Sequence, residues 1–354
     1  MLDPLSLPRL DGIMSYAREH GWAVILEDRL PESTDYARID GAIASLRGRT
    51  EQLARVRRLQ KLGKPVVDLT IACPKIKLPR VISDHMALGE LAAHHFLDRG
   101  FVNFAWYASG TSHVHDLRRQ GFAKPLRQAG FSLSILAKLS DLARHPLPLA
   151  VLAFDESDAV RVVDACSRQK LEVPGDVAVL GIGNDPFLCE NGNITISSVD
   201  QDLAFAAHEA CAVLDKLMPP TTKRQAPTTI LIPPAGIIPR ASTETLAHPD
   251  PTVRAALVFI HRNLHRSFGA AETAEAIGVA RSTLDHLFAE KIGHAVGREI
   301  LDQRLRRAKR LLRDRRVKMN DIASSCGFCN ASYFTNTFRR ETGLSPKAWR
   351  RGNG

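Results

Sequence analysis

The sequence predicts a two-lobed α/β domain followed by a smaller, all-helical domain. Three observations point there. From Leu10 to about Leu217, short apolar runs alternate with amphipathic stretches, the pattern of a parallel sheet flanked by helices. Beyond Pro251 the composition turns rich in Ala, Leu and Arg and strand-like runs cease. The charge divides at the same place: His248 to Gly354 carries 20 Lys and Arg against 10 Asp and Glu, while the first 247 residues hold 28 of each.

In the first part the expected strands are Ala23–Leu26, Gly41–Ala44, Pro65–Leu69, Arg80–Ile82, Asn103–Trp106, Leu149–Ala153 and Val177–Ile182. The expected helices are Arg9–His20, Thr50–Leu62, His85–Arg99, Leu117–Ala129, Ser157–Gln169 and Gln201–Leu217. Over some 230 residues this makes two doubly wound lobes around a cleft, closed by strand-like runs at Thr229–Pro233 and Gly236–Ile238. Residues Ala241–Pro251 then read as a linker, dividing the chain into domains 1–245 and 246–354.

Several classes of function are excluded. No apolar run approaches the roughly 18–20 residues of a membrane helix. Met1–Leu10 has no basic start and apolar core, so no secretory signal is read and the cytoplasm is the expected compartment. Six scattered cysteines read as reduced thiols, and Cys326-Gly-Phe-Cys329 lacks a second ligand pair for a metal. No G-x-S-x-G elbow, P-loop or H-E-x-x-H stands in the chain, so no catalytic residue, cofactor or metal is expected.

The C-terminal part contains an internal similarity. Ala274-Glu-Ala-Ile-Gly278 and Ala323-Ser-Ser-Cys-Gly327 share A-x-x-x-G, each followed by an apolar helix pattern. In a helix-turn-helix a small residue lets the second helix approach, and glycine takes the positive φ of the turn. In the first unit Ala271–Ile277 supports and Arg281–Lys291 reads. Leu284, Leu287 and Phe288 form its buried stripe. Arg281, Ser282, Thr283, Asp285 and His286 are then the candidate DNA contacts, with Ser282 or Thr283 also placed to cap the helix. In the second unit Met319–Ser325 supports and Ala331–Thr342 reads, with Tyr333, Phe334 and Phe338 as the apolar side. Asn330, Ser332, Thr335, Asn336 and Arg339 are its candidate contacts, because Arg suits guanine edges, Asn suits adenine, and hydroxyls suit phosphates or bases. A helix over Val296–Arg313 joins the units and spans roughly 27 Å, enough to set two readers about one DNA turn apart. Its basic face carries Arg304, Arg306, Arg307, Arg310 and Arg313, continued by Arg315 and Arg316. These are either solvated or in part bound to phosphate.

These strings resemble an AraC-type DNA-binding domain over residues 250–351. The resemblance is carried by Gly278 to Phe288, Gly327-Phe-Cys-Asn-Ala-Ser-Tyr-Phe334, Phe338-Arg-Arg-Glu-Thr-Gly343 and Ser345-Pro346. It implies a double-stranded DNA target and accounts for Cys326 and Cys329 as occupants of a turn.

Residues 10–245 resemble the sugar-sensing core of LacI/GalR-type regulators, which is similar to periplasmic sugar-binding proteins. The strings are Val81-Ile-Ser-Asp84 through Gly89, Arg118-Arg-Gln-Gly-Phe122, Ala153-Phe-Asp155, Val173-Pro-Gly-Asp-Val177 through Gly181, and Ile196 to Gln201. The resemblance implies a sugar cleft lined by Asp84, Arg118, Phe154 and Asp155, where charged planar groups pair with hydroxyls. Gly183 stands where that family has a sugar-gripping Asp, so either Asn184 substitutes or the ligand differs. The first strand of such a core is missing: either the start lies upstream of Met1, or this lobe lacks an edge. The two resemblances together imply a sugar-responsive transcription regulator. Its effector would be a pentose such as xylose, its subunits would pair as a homodimer, and RNA polymerase is a further expected partner. The competing reading is a regulator whose first domain no longer binds sugar and serves for dimerisation.

Overall fold

The structure is a computed structural model describing residues 7–26, 35–219, 228–245, 247–248, 250–312 and 317–352. The chain divides into two compact units, Met1–Thr243 and Glu244–Gly354.

The first unit runs α1 (Leu7–His20), β1 (Ala42–Ala44), α2 (Thr50–Lys61), β2 (Val66–Asp68), β3 (Arg80–Ser83), α3 (His85–Leu97), β4 (Asn103–Tyr107), α4 (His113–Gln128) and β5 (Leu133–Ile135). It continues with β6 (Leu149–Ala153), α5 (Glu156–Arg168), β7 (Val177–Ile182), α6 (Pro186–Glu190), β8 (Ser197–Asp200), α7 (Leu203–Leu217), β9 (Thr229–Ile232) and β10 (Gly236–Ile238). Among the described residues these strands form two sheets. One has the order β1-β2-β3-β9 and the other β10-β8-β7-β6-β4-β5. All pairings are parallel except that of β10 with β8. Central strands β6 and β7 are buried along their whole length, as a strand covered by helices on both faces must be.

Each sheet heads its own lobe. In the first, α1 and α7 close over the sheet through Ile13, Tyr16, Ala207, Ala210 and Leu214 against Val67, Val81 and Ile232. In the second, Phe96 of α3 and Phe104 of β4 meet Phe122 of α4 edge to face, with ring centroids 6.2 and 6.4 Å away. The described chain passes between lobes at β3 to α3, at β8 to α7 and at β9 to β10. Strand ends and helix starts therefore gather where the lobes meet.

Two expectations fail here. Ala23–Leu26 forms no strand. Its burial alternates as a strand's would, and Trp22 and Val24 pack on the first core. It has no ladder partner among the described residues, however, and a strand exists only where a neighbour takes its N–H and C=O groups. The expected linker also begins too early. Ala241–Thr243 is a 3-10 turn with Ser242 and Thr243 buried: the Ser242 hydroxyl donates to the Val179 carbonyl at 2.6 Å, and that of Thr243 lies 2.7 Å from Ser197 Oγ.

Among its described residues the second unit is all helix: α8 (Pro251–Asn263), α9 (Ala270–Ala276), α10 (Arg281–Lys291), α11 (Val296–Leu312), α12 (Met319–Ser325), α13 (Ala331–Thr342) and α14 (Pro346–Gly352). It holds two cores. Val253, Ile260, Ala274, Leu284, Phe288, Val296 and Ile300 build one; Leu305, Ala308, Leu312, Ile322, Ala323, Phe334 and Phe338 build the other. The apolar stripe of α11 is thus shared, its first half serving one core and its second half the other.

Candidate DNA-reading and effector sites

The two helix pairs α9–α10 and α12–α13 repeat one device. Ala274 and Ala323 are buried in their supporting helices, and the turns pass through Gly278 at φ 71° and Gly327 at φ 67°. At Gly327 the demand is double, because an added Cβ would meet the Leu264 carbonyl oxygen at 2.5 Å. Both reading helices run over the expected residues.

On α10, Leu284 and Phe288 are buried and Leu287 packs against them. Arg281, Ser282, Thr283 and His286 are exposed and Asp285 is half-buried. Ala280, not Ser282 or Thr283, is the N-cap, and it makes no side-chain cap bond. The Arg281 guanidinium lies 3.5 Å from the Asp285 carboxylate one turn on. On α13, Ser332, Asn336 and Arg339 are exposed and Thr335 is half-buried. Asn330, also exposed, caps the helix, its side-chain oxygen accepting the Tyr333 N–H at 2.7 Å. Tyr333 departs from expectation, being 54% exposed beside the reading face, while Phe334 and Phe338 are the aromatics that α13 buries in the core. The spacing of Phe334 and Phe338, one helical turn, already left Tyr333 about 100° off that stripe.

The arginines of α11 are only partly available for phosphate. Arg304 donates to the Arg266 carbonyl at 2.8 Å and lies over the Phe268 ring, and burial lowers its pKa. Arg306 pairs with the buried Glu299 at 3.0 Å, and Lys309 sits 4.9 Å from the Trp349 ring centre. Arg307 is half-buried. Arg298 reaches across to Glu341 of α13 at 2.7 Å, tying the joining helix to the second reader. Arg313, Arg315, Arg316 and the side chain of Arg310 lie outside the described residues.

In the first unit the candidate effector residues converge through two glycines. A Cβ on Gly89 of α3 would strike the backbone of Arg118 and Phe122, and one on Gly121 of α4 would strike Met86. Without side chains there, α3 and α4 touch backbone to backbone, and His85 at the start of α3 feels the charge of Arg118. Asp84 is the N-cap of α3, its Oδ1 accepting the Ala87 N–H at 3.0 Å. Asp155 is the N-cap of α5, its Oδ1 accepting the Asp158 N–H at 2.9 Å. Both stand at the carboxyl end of a strand before a helix start, where open α/β sheets collect ligands.

Arg118 is 5% exposed. It donates from Nη1 to the Phe154 carbonyl at 2.5 Å and from Nη2 to Gln201 Oε1 at 3.0 Å. Burial pulls its guanidinium down to about 10. The Phe154 ring lies 4.6 Å from the guanidinium carbon and stacks on His115 at 3.6 Å. Phe154 is therefore a platform that sets Arg118.

Asn184 is already engaged within the protein. Its side chain donates to Asp200 at 3.1 Å and accepts from Arg240 at 3.0 Å, so each end of the amide holds one bond inside the protein. The space at Gly183 is filled by Glu156, whose carboxylate binds the Ser198 hydroxyl and the Asn184 N–H. Burial raises the Glu156 pKa against the lowering effect of those bonds.

Comparison with known proteins covers both units. Residues 93–243 match the profile of a periplasmic binding protein-like domain, and residues 3–145 that of periplasmic binding proteins and the sugar binding domain of the LacI family. Residues 273–352 match a helix-turn-helix domain. A xylose operon regulatory protein of Haemophilus influenzae is 26% identical over 96% of this chain and 94% of its own length. The arabinose operon regulatory protein of Escherichia coli is 35% identical over 32% of this chain and 39% of its own length. Among solved structures, a xylose-binding transcription activator superposes with a TM-score of 0.60 at 22% identity, covering 99% of this chain and 96% of that one. Among the described residues no helix is long and apolar enough to cross a membrane.

Proposed function

We infer that this chain, a periplasmic-binding-protein-like domain joined to an AraC-type helix-turn-helix domain, is a DNA-binding transcription regulator answering to a small sugar. It is not an enzyme: its matches are to regulators, and its charged groups cap helices and line a lobe junction. The observation that carries the reading is the pairing of two helix-turn-helix units, each on its own core, with a domain in which Asp84 and Asp155 stand at strand ends and Arg118 is buried.

The DNA contacts are Arg281, Ser282, Thr283, Asp285 and His286 of the first reader, and Ser332, Thr335, Asn336 and Arg339 of the second. Tyr333 joins the second set by its exposure. The effector is a pentose of the xylose kind, as the named relatives suggest. Its polar contacts are Asp84, Arg118 and Asp155, each with hydrogen-bonding capacity left.

Closure of the lobes has a route to the reader. Helix α3 begins at Asp84 and His85, and its far end is held to the last residues of the unit. His95 bonds the Thr243 hydroxyl at 3.0 Å, and Arg99 donates to the Thr243 carbonyl at 3.2 Å. A ligand that favours one arrangement of α3 shifts the population of states in which paired subunits present their readers. The working form is a homodimer in the cytoplasm, placed at a promoter where RNA polymerase is the neighbour.

Footprinting of the full chain upstream of its adjacent operon, with and without pentoses, tests this reading. A protected site whose occupancy changes with one sugar is the expected result; absence of any protected site removes it. One observation favours a second reading, in which the first domain serves for dimerisation alone: Gly183 has no side chain to grip a ligand, and Asn184 is bonded to Asp200 and Arg240. Protection that no sugar alters would select it.

A further inference from the structure

The two cores of the second unit meet at the middle of α11. Ile300 belongs to the first core and Leu305 to the second. Arg304 stands between them and is half-buried. Its Nη2 donates to the Arg266 carbonyl at 2.8 Å, and its guanidinium carbon lies 5.4 Å from the centre of the Phe268 ring. Both partners sit in the segment that follows α8, whose Leu264 and Phe268 are buried in the first core.

The same segment seats the turn of the second helix-turn-helix. A Cβ on Gly327 would meet the Leu264 carbonyl oxygen at 2.5 Å, the Arg266 carbonyl oxygen at 2.6 Å and Arg304 Nε at 3.1 Å. The backbone of the turn, the end of α8 and the Arg304 guanidinium are therefore in mutual contact. Arg266 is held from its own side as well. Its Nε donates to Asn263 Oδ1 at 2.7 Å, and its guanidinium carbon lies 5.7 and 5.8 Å from the Phe259 and Phe268 ring centres. Two guanidinium groups thus share the Phe268 ring.

Long helices are rarely straight, so α11 alone would let the second reader swing against the first. A contact away from its axis removes that freedom. Arg298 and Glu341 make one at 2.7 Å, but Arg298 is exposed, and ion pairs facing solvent hold weakly. At Arg304 the tie is a charge-assisted bond to backbone together with a cation–π contact, on a half-buried side chain. We propose that Arg304 is a positioning residue of the DNA reader. It fixes the turn of the second helix-turn-helix on the end of α8, and so sets the spacing and rotation between the two reading helices. A chain built this way reads the separation of two DNA boxes as well as their sequence. The proposal rests on the DNA-reading function.

Two duplexes test it: one selected by the full chain from a random pool, and the same duplex with one base pair added between the boxes that the two readers protect. The added pair turns one box by about 34° and moves it about 3.4 Å. The unaltered chain should bind the lengthened duplex about tenfold or more weaker. Arg304→Leu, which keeps an apolar stem beside Phe268 but loses the bond to Arg266, should weaken the selected duplex about fivefold and the lengthened one less than about twofold. Arg304→Lys, which still offers a cation and an N–H, should keep most of the spacing penalty. Phe268→Leu, which removes the ring and spares Arg304, should shrink the penalty in the same direction. Thermal melts set a temperature at which the proteins compared are folded; if Arg304→Leu does not fold, Phe268→Leu decides by the same comparison. A variant that weakens both duplexes alike, or keeps the full penalty, overturns the proposal and leaves the DNA reader standing. Equal binding of both duplexes by the unaltered chain also overturns it. A pool from which nothing is selected removes the DNA-reading function as well.

Discussion

The carboxylate of Glu156 stands where a side chain on Gly183 would go: a Cβ there would meet Oε2 at 2.5 Å. The backbone at Gly183 has φ 150°, which L residues rarely adopt. Restoring an acid with Gly183→Asp should therefore destabilise the first unit by about 2–4 kcal/mol, from backbone strain and like-charge burial together. Adding Glu156→Ala should recover part of the loss, a coupling of about 0.5–3 kcal/mol in a double-mutant cycle. Urea unfolding of the four proteins measures it, and strict additivity would show that the two positions do not share space.

The reading helices separate base contacts from scaffold. Arg281→Ala and Asn336→Ala should each weaken specific DNA binding by about 1–3 kcal/mol if they pair with base edges in bidentate fashion. Asn330→Ala should instead cost about 1 kcal/mol of folding stability through its lost cap. Arg304→Ala should lower stability while leaving the salt dependence of DNA binding unchanged, because its charge is spent on Arg266 and Phe268. Titrations on a cognate duplex at several salt concentrations, beside thermal melts, distinguish these outcomes.

His85 gives the first unit a pH dependence. Burial, then Arg118, Arg9 and His113, push its pKa from 6.5 down to about 3. As pH falls, the unfolded chain takes up this proton before the folded one. The stability that neutral His85 contributes is thus complete above about pH 6.5 and is lost progressively toward pH 3, with a slope of at most about 1.4 kcal/mol per pH unit. His85→Gln should flatten unfolding free energy against pH between 6.5 and 4, and an unchanged slope would place the titration elsewhere.

His95 lies at the opposite end of α3 from the effector residues. His95→Ala should leave sugar affinity within about twofold but shrink the change in DNA affinity on adding sugar, a coupling normally worth about 1–3 kcal/mol. Equal coupling in both proteins, read by DNA titration with and without effector, would remove α3 as the route.

The readers are legible in the sequence because helix period, buried Ala and turn Gly all agree there: the bounds of Arg281–Lys291, Met319–Ser325 and Ala331–Thr342 follow from that pattern. Strands β6 and β7 are legible as unbroken apolar runs. Strand β8 is not, since Ser197 and Ser198 give no apolar signal. They are buried because their hydroxyls meet Arg240, Thr243 and Glu156. Nor does sequence place Asn184, since Asp200 and Arg240 reach it only through the folded sheet. Asp84 and Asp155 read as cleft acids, but their work as caps emerges only once α3 and α5 are seen to start beside them.

Because α11 is common to both cores, its 17 residues act as a ruler. One alanine inserted at its middle would turn the second reader by about 100° and advance it about 1.5 Å. An operator whose half-sites suit the present chain would then be out of phase with the protein. Spacing in the promoter is thereby written into the length of one helix.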